Sequence, residues 1–350
     1  MRSSGIFIKR RKRNLNGKRV IISRTDSIGD VVLSLPVAGV LKELYPECTI
    51  IFLGKTYTKT LIEHCSNVDE FVNWDEIKRL DKSGQAEAFR QLNADVIIHV
   101  FPVKAIAVAA KKAHIKIRLG TTNRLWHWHT CNLLTRLSRK NSPWHESQLN
   151  LKLLIPFGAI STYPIHEIPA YYGLQEPGLP KPETKKLLKA EQFNLILHPG
   201  SKGSAREWGV SNFASLIEIL PPEKFNIFIT GTKEEGESVN DALIAPYKHV
   251  HDLTGKLTLD ELISFIAVAD GMVACSTGPL HIAAAVGKYA MGIFPPIRPM
   301  HPGRWAPVGI NASVFVVDKK CSKCRKTKDC ECIRSIRPEQ VKERLMEVFK

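Results

Sequence analysis

Short β-branched runs alternate with helical stretches through residues 19–99, give way to a proline-rich segment, and begin again at residue 193. Strand-like runs fall at 19–23, 49–53, 70–73 and 95–99 in the first half, and at 193–197, 225–230, 271–275 and 289–294 in the second. Val32, Leu35, Val40, Leu41 and Leu44 give residues 29–45 helical spacing, and helices are also predicted at 58–64 and 145–157. The second half adds helices at 211–220, 234–245, 258–268 and 338–349. Strands of this composition separated by helices predict parallel, doubly wound sheets, an α/β fold. The divisions read as a basic tail (1–18), an N-terminal domain (19–157), a linker or crossover (158–190), a C-terminal domain (191–337) and a terminal helix (338–350). Pro164, Pro169, Pro177, Pro180 and Pro182 mark the linker. Two such domains leave a cleft between the carboxyl ends of their strands, where ligands of open α/β sheets bind.

The formal net charge is +16, and it is unevenly placed. Residues 1–20 hold eight Lys or Arg and no acid, and residues 96–145 hold nine and again no acid. Such fields attract nucleic acid, anionic lipid or phosphorylated substrates. The second stretch lies inside a patterned region and predicts a shaped basic surface, with Arg118 and Arg124 as acceptor contacts and Trp126, Trp128 and Trp144 beside them. No apolar run approaches the roughly 20 residues of a membrane span. The first residues lack an apolar stretch followed by a cleavage site. These features predict a cytoplasmic monomer, peripheral on an anionic membrane surface.

Of eight cysteines, Cys48, Cys65, Cys131 and Cys275 are scattered and read as core thiols. Cys321, Cys324, Cys330 and Cys332 cluster, close to a four-thiolate zinc set although the final Cys-x-Cys is tight. A structural zinc is one expectation; reversible disulfides and free thiols are the alternatives.

Three segments point toward the cleft. The first, Arg24-Thr25-Asp26-Ser27-Ile28-Gly29-Asp30, joins strand one to helix one. Ser27-x-x-Asp30 reads as a capping box. It also reads as a substrate site, with Arg24, Ser27 and Gly29 meeting an acceptor and Asp30 taking a proton from its hydroxyl. A helix N-terminus makes such a carboxylate a weak base, suited to late proton transfer. The second segment, residues 198–208, offers Ser201, Lys202 and Arg206 to anionic oxygens. The third, Ser276-Thr277-Gly278-Pro279-Leu280-His281, sits between an apolar run and an Ala-rich helix. A strand feeding a small-residue loop that opens a helix aims backbone N–H groups and the positive dipole end at one point, which suits a diphosphate.

Together these residues resemble glycosyltransferase family nine, the heptosyltransferases of the lipopolysaccharide inner core. The resemblance runs from residue 19 to about 345. It rests on S-I-G-D followed by Leu35-Pro36, His145-Glu146 with Asn150-Leu151, H-P-G-S with R-E-W, Asp252 to Lys256, S-T-G-P-L-H, and Arg304-Trp305-x-Pro307. It implies a GT-B fold: two facing Rossmann-like domains, acceptor on the first and nucleotide-sugar on the second. It implies inverting transfer with no cofactor or metal, from ADP-heptose to a phosphorylated glycolipid at an anionic membrane surface, and no nucleic-acid partner. Asp30 falls on the family's proposed base, Arg206 on its donor-phosphate cation and Ser276 to Gly278 on its donor loop, with Pro279 and His281 following. Many members carry Asp where Ser276 stands. An acid at Glu234 or Glu235 is expected to meet the ribose. The rival readings are a same-fold transferase using another nucleotide-sugar, a basic zinc-cluster protein that binds nucleic acid, and an inactive scaffold.

Overall fold

The computed structural model describes residues 13–139, 142–174, 178–317, 321 and 330–349. The N-terminal sheet comprises β1 (Arg19–Ser23), β2 (Thr49–Gly54), β3 (Glu70–Asn73), β4 (Val96–His99), β5 (Ile117–Thr121) and β6 (Leu133–Thr135). The C-terminal sheet comprises β7 (Phe193–His198), β8 (Phe225–Ile229), β9 (Val250–Asp252), β10 (Gly271–Cys275), β11 (Tyr289–Ile293) and β12 (Ala312–Phe315). Every pairing is parallel, in the orders β3-β2-β1-β4-β5-β6 and β12-β11-β10-β7-β8-β9. The strand order reverses beside β1/β4 in one sheet and β7/β10 in the other, which are the positions where open α/β sheets hold ligands.

Period-two alternation divides the core. Val20 and Ile22 of β1 face inward and join Val31, Leu35 and Leu41, whereas Ile21 faces the outer layer with Phe89 and Ile106. In β7, Ile196 faces the inner layer, and Phe193, Leu195 and Leu197 face Phe213, Val341 and Leu345. The two inner layers merge into one apolar core that includes Val31, Phe228, Phe265 and Leu280. The helices Ile28–Val32 and Gly278–Ala285 meet across the domain boundary, and so do Lys59–Glu63 and Leu259–Val268. The terminal helix Pro338–Val348 buries Val341 and Leu345 in the outer core of the C-terminal domain.

Four short strands escape the alternating pattern. Arg118 and Gly120 interrupt the apolar run of β5, and β6, β9 and β12 are half-buried edge strands with little periodicity. The single helix expected over 29–45 is two, Ile28–Val32 and Leu35–Leu44, with Pro36 in the first turn of the second. Pro36 has no N–H to extend the first helix, and the Ser34 hydroxyl donates to the Asp30 carbonyl at the break, 2.7 Å. The helix expected over 145–157 is α-helical only at Glu146–Leu151 and continues as 3₁₀ turns through Pro156. Part of the proline-rich segment packs on the N-terminal domain, with Ile168 and Tyr172 buried in the shared core.

Candidate active site between the two domains

Glycine brings the domains together at two points. A Cβ on Gly29 would lie 2.8 Å from His281 Cδ2, and one on Gly278 would lie 2.8 Å from Ile28 Cγ2. The glycines of the S-I-G-D and S-T-G segments therefore let two helix N-termini approach closely, a packing role beside the ligand role expected for them. His281, expected at the donor, is 3% exposed against Gly29, and burial lowers its pKa to about 3. It is a neutral wedge at the domain boundary.

Beside this contact lies a cavity of about 490 Å³ at the carboxyl ends of β1 and β4. Arg24, Asp26, Asp30, Phe101, Arg124, Arg139, Glu146 and the C-terminal domain's Arg304 and Trp305 contribute to its walls. Arg24 is 2% exposed and holds three carboxylates: Asp26 at 2.6 Å, Asp30, and Glu146 at 3.5 Å. Asp30 also accepts the Ser27 hydroxyl. Ser27 is the N-cap residue but makes no side-chain bond to the helix backbone, so the expected capping box does not form. Burial raises the Asp26 carboxyl to about 6, with Arg24 pulling it down and Asp30 pushing it up.

Glu146 is the hub of the cavity wall. Arg139 Nε donates to it at 2.8 Å, and Arg304 Nε crosses from the other domain at 3.1 Å. Burial raises its pKa, but Arg139, Arg24 and Arg304 outweigh that and hold the group below the ordinary carboxylate range. The neighbouring His145 Nε2 meets the Ala306 carbonyl at 3.0 Å, and Asn150 donates to the Leu33 carbonyl at 3.0 Å. This helix thus ties the break between the first two helices to the opposite domain. Sequence reasoning left out Asp26, Arg139, Glu146 and Arg304 as site residues. One signal was available: Glu146 is the first acid after the acid-free stretch 96–145.

On the C-terminal side, the 198–208 and 276–281 loops leave adjacent strands, since Ala274 pairs with His198. The Trp208 N–H donates to Cys275 Sγ at 3.2 Å, which pins the end of the first loop over β10. Arg206 is partly buried two residues before Trp208. Lys202 has φ +48° and Gly203 φ +75°, and the Lys202 N–H donates to Glu235 Oε1 at 3.1 Å. Glu235 also accepts the Thr232 N–H at 2.8 Å and lines a second cavity of about 200 Å³ with Lys202 and Glu207. Of the two acids considered for the ribose, Glu235 is at this cavity and Glu234 is exposed outside its lining. Ser201 donates its hydroxyl to Glu207 at 2.7 Å. Thr277 is the N-cap of helix Gly278–Ala285, with Pro279 in the first turn and Ser276 partly exposed before it. The Thr277 hydroxyl is buried without a hydrogen-bond partner among the described residues, as a hydroxyl poised for an anion would be.

Several expected residues lie elsewhere. Arg118 sits near the start of β5 and donates to the Thr130 carbonyl at 2.7 Å and to the Ile115 carbonyl, so it braces a loop instead of meeting an acceptor. Trp144 stacks on the Lys152 ammonium at 3.9 Å, and Trp126 lies under Arg124 at 5.7 Å; Trp128 is the exposed one of the three. Cys330 and Cys332 are buried in the outer core of the C-terminal domain, with Cys321 packed against it. Cys324 and residues 1–12 lie outside the described residues. Among the described residues no group of three or more His, Cys, Asp or Glu side chains is placed to hold a metal ion. Among them, too, no helix is long and apolar enough to cross a membrane.

Comparison with known proteins agrees with this geometry. The model of "Glycosyltransferase family 9 (heptosyltransferase)" matches residues 87–333. Lipooligosaccharide heptosyltransferase 2 of Campylobacter jejuni is 24% identical over 342 residues, covering 95% of this chain and 98% of its own. The fold matches the Escherichia coli ADP-heptose lipopolysaccharide heptosyltransferase II with a TM-score of 0.74 at 19% identity, over 95% of this chain and 98% of that one. It matches a family 9 glycosyltransferase of Veillonella parvula with a TM-score of 0.76 at 19% identity, over 97% and 99%. This α/β chain of two parallel sheets, with a carboxylate-lined cavity at the domain boundary, belongs to glycosyltransferase family 9, the heptosyltransferase family.

Proposed function

We propose that the enzyme moves a heptose from ADP-heptose to a hydroxyl of a phosphorylated glycolipid, inverting the anomeric centre, with Asp30 as the base. The observation that carries this reading is the position of Asp30, in a cavity that it shares with Arg24, Arg124, Arg139 and Arg304. The acceptor oxygen forms a bond to the anomeric carbon as the bond to the diphosphate breaks. The hydroxyl proton passes to Asp30, and ADP leaves with the bonding pair. Arg24 and Ser27 hold the Asp30 carboxylate in place by their side chains. In this reading the proton passes late, once carbon–oxygen bonding is advanced.

Charge building on the diphosphate needs donors fixed in advance. The N-terminus of helix Gly278–Ala285, the Thr277 hydroxyl and Arg206 form the proposed sink. The adenine nucleotide draws support from the ADP-heptose enzyme that shares the fold. Arg206→Ala is expected to weaken ADP binding by about 1.5–3 kcal/mol, roughly 10- to 150-fold, measured by isothermal titration. Equal affinity in the two proteins removes Arg206 from the donor site. A thermal-shift screen of ADP, UDP and GDP separates this donor from another nucleotide-sugar, because stabilisation follows ligand affinity.

The transfer as drawn uses no metal, so turnover is expected to survive treatment with a chelator. A loss that added zinc restores would overturn that expectation. Metal analysis of protein purified without chelator tests the separate zinc proposal for Cys321, Cys324, Cys330 and Cys332. In that proposal the ion is structural.

A further inference from the structure

The helix Leu125–Thr130 leaves two large apolar side chains in water. Its inner face is packed against the domain: His127 and Thr130 are buried, and the Thr130 hydroxyl donates back to the Trp126 carbonyl at 2.7 Å. Leu125 is 82% exposed and Trp128 59%, three residues apart and therefore on one face of the helix. The Trp128 indole N–H donates to the Thr122 carbonyl at 3.0 Å, which fixes the ring with its apolar edge outward. Thr121, Asn123 and Arg124, the residues that lead into this helix, line the large cavity. The apolar pair thus follows directly on residues of the cavity wall, outside the lining itself.

Cations share the acid-free stretch with the pair. Arg124 precedes it and is exposed, and Lys111 reaches the helix by donating to the His129 carbonyl at 2.7 Å. Lys112 and Arg136 are exposed on neighbouring segments, and no acid occurs anywhere between residues 96 and 145. A small apolar projection that includes a tryptophan, on a basic stretch without acids, matches the interface of an anionic bilayer. A folded protein partner would be expected to find a broader apolar surface and some charges of each sign.

We propose that Leu125 and Trp128 insert among the headgroups of an anionic leaflet while Arg124, Lys111, Lys112 and Arg136 hold its acidic lipids. This docking places the cavity mouth against the membrane, where a lipid-linked acceptor presents its sugar. It rests on the glycolipid reading of the acceptor and adds the surface that meets the lipid.

The test is co-sedimentation of the full-length protein with phosphatidylcholine vesicles, with and without phosphatidylglycerol. The wild type is compared with a Leu125→Ser/Trp128→Ser double variant whose melting temperature is unchanged. The wild type should bind the anionic vesicles and not the neutral ones, and the double variant should lose roughly tenfold or more in affinity. Transfer to a vesicle-embedded acceptor should fall with it, while transfer to the same acceptor glycan freed of lipid should not change. A second double variant, Leu125→Ser/Trp128→Phe, keeps an aromatic ring at the tip and should recover part of the lost binding. If it binds no better than the first, insertion of the ring is overturned. Wild-type binding that is absent, or that the first double variant retains in full, overturns the docking surface and leaves the transferase reading intact. A wild type that docks as described but glycosylates neither form of the acceptor overturns the acceptor assignment instead.

Discussion

Asp30→Asn is expected to leave ADP binding unchanged and to cut turnover by roughly 10²–10⁴-fold, the usual contribution of a positioned base. Asparagine keeps the shape of the side chain and removes its charge and basicity. The substitution also separates the two roles the sequence left open. As a helix cap, Asp30 would be replaceable, since asparagine caps well. The structure already argues against the cap, because the Asp30 carboxylate is held by the side chains of Arg24 and Ser27, and Ser27 makes no bond to the helix backbone. Arg24 keeps Asp26 and Glu146 in the variant, so its buried guanidinium is not stranded and the fold should survive. Steady-state turnover and titration with ADP on the same preparation decide the matter. Near wild-type turnover would move the base elsewhere, and Asp26, on the same guanidinium and in the same cavity, would be the next residue to test.

Glu146→Gln should produce the largest loss of stability, about 3–5 kcal/mol, the scale of breaking a buried ion pair by removing one partner. Glu146 is 1% exposed and meets Arg139, Arg304 and Arg24. Glutamine leaves Arg139 and Arg304 without their carboxylate. Because Arg304 belongs to the C-terminal domain, the variant also weakens the link between the domains. The acid limb carries a second signature. The native pKa of Glu146 lies below its unfolded value near about 4.3, so its contribution is present above that pH and is lost as pH falls through the native pKa. The wild type should therefore lose stability on acidification below roughly pH 4, and the variant should lack that part of the slope. Denaturant titrations across the acid range measure both effects. Wild-type stability in Glu146→Gln would show that the cluster is held by something other than this charge.

Much of the fold was legible because its physics is local. Strands β1, β2, β4, β7, β8 and β10 are buried on both faces, so each reads as a β-branched or apolar run, broken in β7 and β8 only by Asn194 and Asn226. The strands that escaped are either edges or, in β5, interrupted by Arg118, whose guanidinium serves backbone carbonyls. Nothing in the sequence distinguishes that arginine from Arg124, which lines the cavity. Both lie in one basic stretch, and only the position along the strand decides which of them reaches the carboxyl end of the sheet.

The sequence by itself determined the two α/β units and the loops that follow their first strands. Strand burial, turn chemistry and helix starts are set by neighbours within a few residues, and a single chain records them. Only the tertiary structure decided what joins the halves. It turned Gly29 and Gly278 into contact points, made His281 a buried wedge, and gathered Arg24, Arg139 and Arg304 on Glu146. Arg304 lies 158 residues from Glu146. Contacts over such distances depend on how two complete sheets pack, because a buried charge needs partners and one of those of Glu146 arrives from the opposite domain.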